Sequence, residues 1–146
     1  MADLTLDQAN RIISGALAAA RSMKIPPLAV VVLDAGGHLV AAQREDGASM
    51  FRVDVATGKA WAAVGMDASS RTLAERAKDN PNFFVALAST GQGRFLPQPG
   101  AVLIRAADGR IIGAAGASGA TGDEDEAACM AGVKAAGLLS DPKAAG

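Results

Sequence analysis

Residues 111–128 read IIGAAGASGATGDEDEAA, and the folding of this stretch decides how the rest of the chain is arranged. The apolar run Ile111–Ala115 reads as a buried strand. Glycines at 113, 116, 119 and 122 keep the following backbone free of bulk, which suits close approach by a ligand or another piece of protein. Asp123, Glu124, Asp125 and Glu126 then mark a helix N-terminus, where carboxylates meet the positive end of the helix dipole. The plainest reading is a strand–turn–helix joint. The same acids repel a phosphate, no Lys or Arg stands where a P-loop needs one, and the glycine spacing matches neither common nucleotide fingerprint. No nucleotide is expected.

Immediately before the joint, Ala101–Arg105 and Arg110–Ala115 flank Ala106-Ala107-Asp108-Gly109, a hairpin with Asp-Gly turn chemistry. An earlier hairpin pairs Leu28–Leu33 with His38–Arg44 across Asp34-Ala35-Gly36-Gly37. Its first strand, LAVVVL, is apolar throughout and predicts cover on both faces. Thr5 opens the first helix with Gln8 in the capping-box position, and Leu6, Ala9, Ile12, Ile13, Ala16, Leu17 and Ala20 form one stripe until Pro26-Pro27. A helix from about Ser49 carries Phe51, Val55, Ala56, Ala60, Ala63 and Val64 on its apolar side and breaks at Gly65-Met66-Asp67. Ser69-Ser70 cap a short helix to about Lys78, Asn82–Ser89 is a short helix or turn, and Gly91–Gly100 is a loop. The last helix is expected over about Asp123–Leu139, burying Ala127, Met130, Ala131, Val133 and Leu138 and leaving 141–146 as a frayed tail. The result is one α+β domain over 1–146, an antiparallel sheet with helices packed on it.

Half of the residues are hydrophobic but only 3% are aromatic, so the core is built from small aliphatic side chains. Net charge is −1 with bases interleaved among acids, which speaks against a nucleic-acid partner. No apolar run reaches the ~18 residues of a membrane span, and the first residues lack a signal-peptide pattern, so a cytoplasmic protein without a membrane partner is expected. Cys129 is the only cysteine, which leaves no intrachain disulfide and no zinc cluster, and it reads as a buried, inert thiol. Met23, Met50, Met66 and Met130 read as core filler.

His38 is the only histidine, so no multi-histidine metal site is expected. At the start of a hairpin strand it is expected to be exposed, and it serves as a haem ligand or proton carrier only with a pocket around it. Arg44, Asp46, Lys59 and Arg71 come from a strand end, a turn, a helix and a helix start that can converge at one rim. An Arg fork with a Lys charge suits a carboxylate, and surface ion pairing is the competing reading. Lys59 stands out, because an amine in so apolar a helix either functions or snorkels to solvent. In a catalytic reading Lys59, Asp46 or His38 moves the proton. Ser118, Thr121 and Asp125 either cap the turn or meet a ligand's polar group.

Taken in order, DAGGHLVAAQREDGA (34–48), Lys59-Ala60, Gly65-Met66 with Arg71-Thr-Leu73, and GAAGASGAT (113–121) with Asp125-Glu126 resemble the GlcG/HbpS-like family, which includes the C-terminal haem-binding domain of the PduO proteins. The resemblance spans Thr5 to about Gly137. It implies a profilin-like α+β fold, with a five-stranded antiparallel sheet between helices, and a homo-oligomer. It also implies a small-molecule ligand, haem in some relatives, with His38 as a candidate haem ligand and Thr121 as a second contact. The chain departs from the family pattern at Leu96–Val102, Gly116–Thr121 and Val64–Arg71, stretches that would line a pocket. Three functions follow as expectations: a protein binding haem or another carboxylated molecule, a small isomerase, hydratase or lyase acting on a carboxylated metabolite, and an oligomeric assembly module.

Overall fold

A computed structural model describes residues 3–142. Thr5 caps α1 (Leu6–Met23) through the expected reciprocal pair, its hydroxyl accepting from Gln8 N while Gln8 Oε1 accepts from Thr5 N. The first hairpin is β1 (Ala29–Asp34) and β2 (Leu39–Arg44). Asp34 Oδ1 holds its turn by accepting from Gly36 N and His38 N. Next come α2 (Phe51–Met66), α3 (Ser70–Asp79) and α4 (Pro81–Thr90), then the second hairpin, β3 (Ala101–Arg105) and β4 (Ile111–Ser118). The chain closes with α5 (Gly122–Ala135) and β5 (Leu139–Asp141).

The five strands form one antiparallel sheet in the order β2-β1-β4-β3-β5, so β4 is central and its two neighbours come from different hairpins. This is the α+β, five-stranded arrangement that the resemblance implies. Alternation along the strands divides the core. Val30, Val32, Val102, Ile104, Ala115 and Ala117 face α1 and α5, while Val31, Leu33, Ala101, Leu103 and Ala114 face α2. β1 is buried over Ala29–Leu33, as its unbroken apolar run requires. A third cluster, Ala62, Leu73, Phe84 and Phe95, joins α2 to α3 and α4.

The glycines of β4 are used inside the molecule. A Cβ on Gly116 would stand 2.3 Å from Ala56 O, so the α2 backbone, and neither a ligand nor a second subunit, occupies that space. Several expectations need correction. The last helix ends at Ala135 rather than Leu139, because Ala136 closes it and residues 139–141 pair with β3 as a strand. Asp141 therefore belongs to the sheet, and residues 143–146 of the expected tail lie outside the described residues. α5 buries Ala128, Cys129, Gly132 and Val133, a face rotated from the one expected, with Ala127, Met130, Ala131 and Leu138 only partly covered. Phe51 is 63% exposed and Met50 73% exposed at the start of α2, and Met23 is exposed too, so neither these methionines nor Phe51 fill the core.

Candidate functional site

The strand–turn–helix joint opens a cleft of about 400 Å³ at the end of the sheet, within the ~300–1,000 Å³ usual for small-ligand pockets. Its walls come from β4 (Ser118), the turn (Ala120, Thr121), the start of α5 (Asp123, Asp125), α2 (Arg52, Val55, Lys59) and the loop before β3 (Gln98, Pro99). The joint assembles itself locally. Thr121 is the α5 N-cap, with its hydroxyl accepting from Glu124 N and Glu124 Oε1 accepting from Thr121 N.

Lys59 reaches this joint from the opposite layer. Its ammonium donates to Ala117 O at 3.1 Å and to Asp125 Oδ2 at 3.2 Å, with side chains 7% and 1% exposed. Asp125 Oδ1 also accepts from Ala120 N at 3.0 Å, so the carboxylate is held from both sides. Snorkelling is thereby overturned: the stem runs inward, where a partner carboxylate offsets the desolvation of the charge. Gly100 makes room for it, since a Cβ there would lie 2.5 Å from Lys59 Nζ, and its φ of +135° suits glycine.

Arg71 donates from Nε to Glu126 at 3.0–3.1 Å and from Nη2 to Asp123. The Asp123 and Glu126 bonds raise its pKa, so the guanidinium stays charged. Of the four acids at the α5 start, Asp123 and Glu126 are thus neutralised by Arg71 and Asp125 by Lys59, while Glu124 is engaged in the cap. The acid cluster that speaks against an anion in the sequence is therefore largely spent on internal partners. What remains is Arg52, which contacts Ser118 Oγ at 3.3 Å and has no carboxylate partner among the described residues.

The expected convergence of Arg44, Asp46, Lys59 and Arg71 is only half realised. Lys59 and Arg71 meet at the α5 start, with Ser118 and Thr121 beside them. Arg44 and Asp46 line a different groove with Arg21 and Glu45, and Arg44 Nη1 donates to Ala48 O at 2.8 Å. His38 lies at the other end of the sheet, 82% exposed, with Nδ1 3.4 Å from Asp34 Oδ1. Arg52 is not among the residues that the sequence singles out. Its signal was its spacing, because positions 52, 55 and 59 share one side of α2. Cys129 is buried, its Sγ 3.7 Å from Gly100 O, and burial pushes the thiol pKa up, away from reactivity. Among the described residues, no helix is long and apolar enough to cross a membrane.

No curated protein matches the sequence. Among solved structures, the PduOC–haem complex superposes with a TM-score of 0.83 at 24% identity, covering 94% of this chain and 97% of that one, which shows the shared fold. HbpS superposes at 0.79 with 28% identity over 92% and 90% of the two chains, and a Streptomyces reticuli HbpS double mutant at 0.79 with 29% over 92% and 87%. Protein ORFY of Klebsiella pneumoniae gives 0.83 with 22% identity over 94% and 93%. The family described as "Haem degrading protein HbpS-like" matches residues 4–134, and the chain therefore belongs to the HbpS-like family.

Proposed function

We propose that the chain is a small-molecule-binding protein whose cleft holds a ligand by its carboxylate. The observation that carries this reading is Arg52, a cation in the cleft wall without a carboxylate partner among the described residues. A guanidinium fork matches a carboxylate with two parallel hydrogen bonds, and a charge-assisted bond is stronger than the 3.3 Å contact to Ser118 that Arg52 now makes. Ser118 and Thr121 place hydroxyls in the same wall.

Haem is the ligand that the relatives bring to mind, and its propionates would suit Arg52. The rest of the cleft does not fit it. Haem iron takes His, Cys, Met or Tyr as its axial group, and none of these lines the cleft. Charged and polar residues — Arg52, Lys59, Gln98, Ser118, Thr121, Asp123 and Asp125 — are interspersed through walls where a macrocycle needs a continuous apolar face, and the Lys59 amine is engaged with Asp125. His38 stands on an exposed turn at the far end of the sheet.

The test is calorimetric titration with small carboxylates, beside haemin titration followed in the Soret region, on wild type, Arg52→Ala and His38→Ala. Saturable carboxylate binding is expected, weakened about tenfold or more by Arg52→Ala, since a hydrogen bond to a charged group contributes about 1.5–3 kcal/mol. His38→Ala should leave it unchanged. A saturable Soret band that disappears in His38→Ala, with no carboxylate binding, would overturn the proposal.

A further inference from the structure

The cleft contains one more donor than a simple carboxylate uses. The Lys59 ammonium has three N–H groups, and two are taken by Ala117 O and Asp125 Oδ2. The third has no partner among the described residues, although the side chain is 93% buried and forms part of the cleft wall. A buried ammonium donor without an acceptor is costly, so an oxygen entering the cleft is drawn to it. Its neighbour is Arg52. The two cations contact consecutive residues of β4, Lys59 at the Ala117 carbonyl and Arg52 at the Ser118 hydroxyl, and both line the same cleft. A ligand with two acceptor groups on neighbouring atoms can meet both cations at once.

We infer that the ligand is a carboxylate with a second oxygen on the adjacent carbon, a 2-oxo or 2-hydroxy acid, and that Lys59 reads this second oxygen while Arg52 holds the carboxylate. The inference rests on the carboxylate reading above and narrows it to a ligand class. Asp125 acts as a positioning residue. Fixed by Lys59 and by Ala120 N, it keeps the ammonium oriented. A ligand lacking the second oxygen leaves the Lys59 donor unpaired in a buried site, which is the kind of loss that produces strong discrimination.

The probes are pyruvate, lactate and propionate, titrated by calorimetry into the wild-type protein and compared at one pH and ionic strength. Pyruvate or lactate is expected to bind at least ten times more tightly than propionate. Lys59→Met should erase that ratio while propionate still binds. Because this variant leaves Asp125 without its partner, Lys59→Met/Asp125→Asn is measured beside it, and the same loss of discrimination is expected. Equal affinity for all three acids in the wild type would overturn the inference and leave the carboxylate reading standing. No binding of any of the three, propionate included, would overturn both. Discrimination that survives in the folded double variant would show that another group reads the second oxygen, and would remove Lys59 from the role.

Discussion

A lysine and an aspartate separated by 66 residues, Lys59 and Asp125, make the contact on which the cleft depends. Both are almost wholly buried, so each is the reason the other is tolerated there. Asp125→Ala leaves an uncompensated buried ammonium and is expected to lower stability by about 3–5 kcal/mol in urea denaturation. Lys59→Met/Asp125→Asn removes both charges and keeps an acceptor for Ala120 N, so it should cost clearly less than the sum of the single changes. Additive losses would mean that the two residues do not depend on each other. The pair was half legible in the sequence. Lys59 was conspicuous as an amine among Ala and Val, and Asp125 belonged to the acid run, but nothing local joins residues so far apart. Arg52 went unnoticed because an arginine in the first turn of a helix looks like an ordinary solvated side chain. Only the strand opposite makes it part of a wall.

The elements themselves were read more accurately than their ends. Both hairpins, the Thr5–Gln8 capping box and the break at Asp67 follow from local chemistry: turn residues, a Thr followed three positions later by Gln, a residue accepting the left-handed conformation. β5 is hidden in the sequence because Leu138-Leu139 continues the helical apolar pattern, and three residues contain too little alternation to reveal a strand. Ser69 and Ser70 divide the work expected of a cap. Ser69 caps α3, and fully buried Ser70 accepts from Ala101 N at 2.8 Å, tying α3 to the start of β3. The tightest joint is between α2 and β4. Gly116→Ala would push a Cβ to 2.3 Å from the Ala56 carbonyl, which is backbone and cannot swing aside. The expected loss is about 1–3 kcal/mol, read as a lower denaturation midpoint with an unchanged slope. A neutral Gly116→Ala variant would show that α2 can lift away from the sheet at no cost.

Across the whole molecule, the sheet separates two places that the sequence tends to merge. DAGGHLVAAQR is the most recognisable run in the chain, and it draws attention to His38, yet its turn closes the end of the sheet where Asp34 lies opposite Gly113. The cleft lies at the other end, where Ala29 is opposite Ser118. The five register steps between them correspond to about 17 Å at roughly 3.4 Å per residue. Antiparallel pairing sets that distance, and it is invisible until β1 is known to pair with β4 as well as with β2. Hydrogen exchange measures this directly. In the free protein, amides of β1 and central β4 should exchange only by global unfolding, and those on the outer edge of β2 and in β5 much sooner. A bound carboxylate should then add protection at residues 118–125 and along the Arg52–Lys59 side of α2, and leave residues 34–39 as they were. Protection appearing first at 34–39 would place the ligand at His38 and the wrong end of the sheet, and the Arg52 cleft would lose its claim to be the binding site.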